Sequence, residues 1–195
     1  MKKLHFLGIV GLSTLCFTEG NLSAQDSSWP HDPTPEQPFG SLNPALTDPE
    51  AQIFKPLIGI HDCTHVRRSA PGAEPQTATA VWTWYYDMNG YGVRDTYRYD
   101  KAAPASQRIY NAPTKQWHVW YFLGQGGYYA GEWVGGASGE SIVFEQTTDV
   151  GERSVLSRLQ FFDITETSFE WKSSNIDTNT GESFVGWEIS CKRRQ

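Results

Sequence analysis

From Leu57 onward, short segments rich in Val, Ile, Thr, Tyr, Phe and Trp alternate with turn residues at regular spacing. Such segments are typical of β-strands, and no stretch after Pro56 has helical periodicity. Turn residues such as Met88-Asn89-Gly90 and Gly135-Gly136 separate the segments, because they tolerate the positive φ angles of tight turns. We therefore predict ten strands, at 57–67, 77–87, 91–99, 106–111, 116–123, 127–134, 140–148, 153–163, 167–174 and 183–193.

The connections between these segments have hairpin length throughout, which favours pairing between strands that follow each other in the chain. About ten such strands either form two packed sheets or close into a barrel. Closure into an up-and-down barrel removes exposed strand edges. We therefore predict an all-β fold, a single antiparallel up-and-down β-barrel of about 8–10 strands.

The first 24 residues have the three parts of a cleavable signal peptide. Met1-Lys2-Lys3 is a short positive start, residues 4–17 are apolar and almost uncharged, and Leu22-Ser23-Ala24 is a small-residue cleavage site. The apolar run is too short to span a bilayer comfortably, and no later apolar stretch is long enough. We expect an exported protein, periplasmic or extracellular, with no membrane span.

Residues 25–48 contain five prolines with small polar residues between them. Proline fixes φ and removes a backbone donor, so this segment joins neither a helix interior nor a sheet interior. It is interpreted as a linker or as an arm that lies on the domain. Asp48 and Pro49 then begin a short N-terminal helix as its N-cap and first residue, and Pro56 ends it. The barrel domain spans residues 49–195.

The net charge limits the possible partners, and the cysteine content fits an oxidising compartment. Without residues 1–24, basic residues fall from 16 to 14 and acidic residues from 22 to 21, a formal charge of −7. This charge argues against nucleic acid and anionic membrane surfaces as partners. Only Cys63 and Cys191 remain, and two cysteines in such a compartment usually pair. A disulfide between the first and last strands fits a closed barrel, in which those strands are neighbours.

Four groups of residues carry a resemblance to a known family. They are FKPLIG at 54–59, WYYDMNGYG at 84–92, RIYN at 108–111 with Trp117, and FEW at 169–171. This pattern resembles the lipocalin-like, or calycin, barrels, and more closely a set of secreted bacterial proteins of unknown function with that architecture. The resemblance implies a barrel with a central cavity. Lipocalins carry Gly-x-Trp on the first strand, whereas this chain has Gly59-Ile60-His61, so we expect a different barrel floor.

Several strands carry large apolar side chains on both faces, which leaves open which face points inward. In one interpretation the aromatic residues line a cavity for a small, mainly apolar molecule. In the other they fill the core, and outer aromatic residues form a homodimer surface. Most charged strand residues, such as Asp95, are expected outside in water, with one or two pointing inward. For the cavity we predict Trp82, Trp84, Tyr97, Trp120 and Trp133 as its lining, Arg158 and Glu132 as ligand-orienting groups, and His118 beside Glu132.

No catalytic motif stands out, since Gly-x-Ser-x-Gly, phosphate-loop and His-Glu-x-x-His patterns are missing from the sequence. A small cavity enzyme that uses His118 or His61 for proton transfer stays an alternative. So does an interaction module whose outer aromatic residues bind a protein or polysaccharide. His61, Cys63 and His65, with His118, are metal-ligand types, but a disulfide sulfur is no thiolate ligand. We expect no metal and no cofactor.

Overall fold

The computed structural model of the protein describes residues 29–124 and 128–195, so the predicted signal peptide lies outside the described residues. All ten predicted strands are found. β6 and β9 extend furthest beyond their predicted ends. The strands are β1 Gly59–Arg67, β2 Gln76–Asp87, β3 Gly92–Arg98, β4 Ala105–Asn111, β5 Gln116–Leu123, β6 Tyr128–Ser138, β7 Ser141–Val150, β8 Arg153–Phe162, β9 Ser168–Asp177 and β10 Ser183–Arg193.

Every strand pairs antiparallel with its neighbour in the chain, and β1 pairs with β10, so the sheet is a closed barrel. The prediction of an all-β, up-and-down antiparallel barrel is confirmed. The closing seam joins His61 to Arg193 at one end and Arg67 to Trp187 at the other. Within this seam Cys63 lies opposite Cys191, and the two form the predicted disulfide.

The turn predicted at Gly135-Gly136 is wrong. Both residues lie inside β6, and the chain reverses at 139–140 instead. A Cβ atom built on Gly135 would lie 2.0 Å from the Val143 carbonyl oxygen of the neighbouring strand. A Cβ on Gly136 would make only an ordinary contact, 3.5 Å from the Glu50 carboxylate. Gly135 therefore permits a close approach of two strands, which is the other common role of glycine in a strand.

The chain reaches the barrel through two 3₁₀ turns, η1 (Pro49–Gln52) and η2 (Lys55–Leu57). The predicted N-cap is confirmed, since Asp48 Oδ1 accepts a hydrogen bond from the Glu50 N–H at 3.0 Å. The prediction of one helix ended by Pro56 is wrong in detail, because Pro56 lies inside η2. Proline is tolerated there because the first residues of a helical turn need no N–H donor.

These two turns close one end of the barrel. The Phe54 side chain is fully buried, and the Trp117 indole N–H donates to the Glu50 carbonyl at 2.7 Å. The Arg193 guanidinium donates to the Pro56 and Ile58 carbonyls at 2.6 and 2.5 Å, which ties the last strand to the same turns. The rings that pack on Phe54, at centroid distances of 4.9–6.3 Å, are Trp84, Trp117, Phe144 and Phe161. They form the barrel floor.

The described part of the proline-rich segment, residues 29–48, lies against the closed end. The Phe39 carbonyl accepts from the Tyr86 N–H at 2.8 Å, and the Asn89 N–H donates to Asp32 at 2.5 Å. Gly90, in the β2–β3 turn, has φ +76, and a Cβ there would lie 2.4 Å from the Asn43 backbone nitrogen. This glycine serves both the turn and the docking of the arm.

Candidate functional site

A cavity of about 140 Å³ lies inside the barrel, one side-chain layer above the floor. Its lining comes from eight of the ten strands, because alternate residues of each strand face the interior. Most of the lining is aromatic or aliphatic. Asp95, Ser106 and Arg108 lie on the neighbouring strands β3 and β4, and Ser173 lies on β9. The lining residues are Trp82, Asp95, Tyr97, Ser106, Arg108, Val119, Tyr121, Trp133, Leu159, Trp171, Ser173, Trp187 and Ile189.

The polar groups form a strip across three neighbouring strands. Asp95 of β3 pairs with Ser106 of β4, and Ser106 pairs with Tyr121 of β5, so the three side chains stand side by side on the inner face. The Asp95 carboxylate accepts from the Trp82 indole N–H at 2.9 Å and forms an ion pair with Arg108. Both charged side chains are buried, at 2% and 3% exposed. The strip thus holds two opposite charges that neutralise each other.

The Arg108 guanidinium separates the cavity from the floor. Its Cζ atom lies 4.3 Å from the ring centroid of Trp84 and 5.2 Å from that of Phe54, so aromatic faces stabilise the cation. Among the described residues its Nε–H has no acceptor. Burial lowers the pKa of Arg108 and the Asp95 carboxylate opposes that shift. Arginine stays protonated in proteins, and the carboxylate beside it balances its charge.

Four indoles form much of the rest of the cavity wall. Trp171 and Trp187 pack edge to face at a centroid distance of 5.4 Å, and Trp82 lies 6.0 Å from Trp171. The Trp133 indole N–H donates to the Ser157 hydroxyl at 3.2 Å, which fixes that ring on the cavity side of β6. These edge-to-face contacts are favourable for aromatic pairs. They give the cavity flat, apolar sides.

Aromatic side chains and the Arg67 guanidinium lie at the end of the barrel opposite the floor. The Tyr97 hydroxyl lies 2.8 Å from His65 Nδ1, and Tyr99 and Trp187 pack edge-on against the same imidazole. Arg67 donates to the Tyr99 hydroxyl at 3.2 Å, and its guanidinium lies 4.4 Å from the Trp187 ring centroid. Burial, with a smaller effect of the Arg67 charge, lowers the pKa of His65. The imidazole is therefore biased towards its neutral form.

His61 occupies the position at which the lipocalin pattern has tryptophan, and it is only 1% exposed. Its ring packs edge-on against Phe169 at 5.0 Å, and its Nδ1 atom has no partner among the described residues. Burial, and then the nearby Arg193 charge, lower the pKa of His61 to about 4. A neutral imidazole thus fills part of the interior near the floor.

Stability should depend on pH through His61. His61 binds a proton near pH 6.5 in the unfolded chain but only near pH 4 in the folded chain. Its contribution to the free energy of unfolding is therefore complete above pH 6.5 and is lost as pH falls towards 4. Between pH 8 and pH 5 we expect the free energy of unfolding to fall by about 2 kcal/mol more in the wild type than in His61→Phe. Urea denaturation of both proteins across this range tests the difference. Parallel profiles would contradict it.

The structure separates the eight predicted site residues into two groups. Trp82, Tyr97 and Trp133 line the cavity, and Trp84 lies one layer deeper, in the floor. The other four lie on the outer face. Their neighbours in the strands occupy the inner positions, because a strand side chain and the next one point to opposite faces. The outer residues are His118, Trp120, Glu132 and Arg158.

These outer residues form surface pairs. His118 Nδ1 lies 2.7 Å from Glu132 Oε1, and the His118 ring stacks on Trp120 at 5.9 Å. Arg158 Nε donates to Glu145 at 2.7 Å. The imidazole–carboxylate pair of the enzyme alternative therefore exists, but it lies outside the cavity. His118 is also on the opposite face of the sheet from His61 and His65, so these three do not converge on one ion.

Asp95 and Arg108 were missed as site residues, and Asp95 is an exception to the expectation that most charged strand residues lie outside. The alternation of side chains along each strand could have indicated that both residues point inward. Asp95 lies between Val93 and Tyr97 on one strand face, and Arg108 alternates with Tyr110. Each charge looks costly to bury by itself, and only the pairing of β3 with β4 brings the two together.

A comparison with protein-family models finds no match, and a comparison with curated protein sequences finds no significant relative. The closed ten-strand barrel is consistent with a lipocalin-like architecture. Across 29–124 and 128–195, no helix is both long and apolar enough to cross a membrane.

Proposed function

We propose that this protein is an exported β-barrel that binds a small, mainly apolar molecule in its aromatic-lined cavity. The cavity is the observation that carries the proposal. Close-packed protein interiors contain few voids larger than a water molecule, whereas this one measures about 140 Å³. An apolar cavity of roughly 150 Å³ is known to admit benzene. The interior of this barrel therefore has room for a ligand of that size.

The volume also limits the ligand. Sites for drug-sized molecules measure about 300–1,000 Å³, several times the volume here. Trp82, Tyr97 and Trp133 are the predicted residues that would contact the bound molecule, and Trp171 and Trp187 would contact it from the other side. The proposed ligand is therefore no larger than about one ring, too small to be a long-chain lipid.

Export is supported by two independent features. The first 24 residues follow the plan of a signal peptide. The disulfide between Cys63 and Cys191 fits an oxidising compartment such as the periplasm or the extracellular medium. A binding protein in either place would meet small molecules from outside the cell.

Native mass spectrometry of the protein purified from its own periplasm or medium tests the proposal. We expect one small molecule per chain, which is released on denaturation. Ser173→Phe should abolish this, because Ser173 lines the cavity and a phenyl group would fill it. Ser190→Phe is the matched control, since Ser190 is exposed on the outer face.

Wild-type protein that carries no molecule and takes up no added benzene would contradict the binding function. A dimer without a bound molecule would indicate instead that the outer aromatic residues form an interaction surface.

A further inference from the structure

We infer that the ligand of this cavity is a neutral, planar, single-ring compound with one hydroxyl or N–H group on its edge, as in a simple phenol. This inference rests on the proposed function and specifies its ligand class. It follows from the size, the wall shape, the polar strip and the charge balance of the cavity.

Size and shape select a single flat ring. The cavity of about 140 Å³ matches the roughly 150 Å³ that accommodates benzene. Its sides include the indoles of Trp82, Trp133, Trp171 and Trp187. Aromatic rings prefer offset-stacked or edge-to-face neighbours at about 4.5–7 Å, which a planar guest among indoles can satisfy. A two-ring guest exceeds the space.

The polar strip selects a hydrogen-bonding edge. Among the described residues, no hydrogen bond joins the Ser106 or Tyr121 hydroxyl to another protein group, although both residues line the cavity. The Asp95 carboxylate receives one donor on each oxygen and keeps further acceptor capacity. A ligand hydroxyl could donate to Asp95 or Ser106 and accept from Tyr121. A hydrocarbon ligand would leave the Ser106 and Tyr121 hydroxyls without a partner.

The charge balance selects a neutral ligand. Asp95 and Arg108 already compensate each other inside the barrel. Among the described lining residues an additional buried charge would have no counter-ion, and uncompensated buried charges are strongly unfavourable. Arg67 is a further cation close to Trp187, with its guanidinium 4.4 Å from that ring centroid, but its side chain is exposed and is not part of the cavity lining. Carboxylates and ammonium ions are therefore excluded from the ligand class.

Isothermal titration of the wild-type protein, first stripped of any bound molecule, at pH 7 with phenol, toluene, benzoate and 1-naphthol tests these selections separately. Toluene matches phenol in size but lacks the donor, benzoate is charged, and 1-naphthol has a second ring. We expect phenol to bind at least roughly tenfold more tightly than each of the other three, the factor that corresponds to one well-placed hydrogen bond. Equal or tighter binding of toluene or benzoate overturns the inferred class.

Toluene binding without a preference for phenol would overturn the ligand class and leave the apolar cavity function standing. Absence of binding by all four probes, together with native protein that carries no molecule, would overturn the binding function itself. These two failures are thus distinguishable.

The Ser106→Ala variant tests whether the Ser106 hydroxyl produces the selectivity for phenol over toluene. This change should weaken phenol binding roughly tenfold and leave toluene binding unchanged, because it removes a hydroxyl and no apolar wall. Ser190→Ala, on the exposed face of β10, is the matched control and should alter neither affinity. Tyr121→Phe supplies a second variant that keeps the ring in place. If both Ser106→Ala and Tyr121→Phe bind phenol and toluene as the wild type does, the strip does not select the ligand.

Discussion

Arg108→Met is expected to lower the free energy of unfolding by about 3–5 kcal/mol, the cost of removing one partner of a buried ion pair. The methionine side chain is similar in length to that of arginine and is apolar, so the packing on Trp84 and Phe54 is largely kept. What is lost is the countercharge of Asp95, which is only 2% exposed and cannot recover water. Asp95 must then either stay charged without a partner or take up a proton, and both cost free energy. Chemical denaturation at pH 7 measures the change.

A double-mutant cycle separates the pair from the packing around it. Asp95→Asn with Arg108→Met removes both charges and keeps an acceptor for the Trp82 indole N–H. We expect the double variant to be more stable than the Arg108→Met protein, because replacement of both partners is often close to neutral. Arg158→Met is the control, since Arg158 pairs with Glu145 on the outer face, where a pair contributes about 0–1 kcal/mol. Similar costs for Arg108→Met and Arg158→Met would contradict the prediction.

Removal of the disulfide by Cys63→Ala with Cys191→Ala is expected to lower the free energy of unfolding by about 4–5 kcal/mol. The two cysteines are 128 positions apart, so the bond restricts a very long loop in the unfolded chain. The native seam should change little, because β1 and β10 are paired on both sides of the disulfide. Denaturation of the double variant and of the wild type, with and without reductant, measures the loss. Reductant should shift the wild type to the level of the variant and leave the variant unchanged.

An oxidised wild type that unfolds at the same denaturant concentration as the double variant would contradict this expectation. Circular dichroism of the variant in water should still show a β-rich native protein, because a loss of this size is a large part, not all, of a typical stability of about 5–15 kcal/mol.

The strand order and the closing disulfide could be predicted because the relevant signals are local or few. Residues such as Asn89 and Gly90 mark a hairpin by their tolerance of positive φ, and the structure gives them φ values of 56 and 76. Two cysteines allow a single pairing. Gly135 was harder to interpret, since glycine serves a turn and a close strand contact equally well, and only the position of Val143 decides between them.

The inner face of each strand was the part that the sequence could not decide. On β2 the alternation of Trp82 and Trp84 with threonine and tyrosine favours one face. On β5 the set containing Val119 and the set containing Trp120 are both apolar, so either could point inward. If the inner face of a strand is chosen wrongly by one residue, its whole set of side chains is placed on the other face. This explains why the prediction placed four outer residues in the cavity, namely His118, Trp120, Glu132 and Arg158.

The Asp95–Arg108 pair lay beyond a residue-by-residue prediction for a different reason. The two positions are 13 apart in sequence, and their contact depends on the register between β3 and β4. The expectation that a charged strand residue lies in water is sound for single residues. It does not hold for two residues that form a buried ion pair with each other.

The seam between β1 and β10 has a consequence for how the chain folds. The strand that closes the barrel is synthesised after the other nine, so β1 keeps an unpaired edge until Arg193 and its neighbours arrive. Hairpins between consecutive strands can form early because their contacts are close in sequence, but closure must wait for the most distant contact in the domain. Chains cut short before β10 would keep two open edges, which are templates for aggregation. Quality control of nascent chains therefore has its most vulnerable target when nine strands have been made and β10 has not.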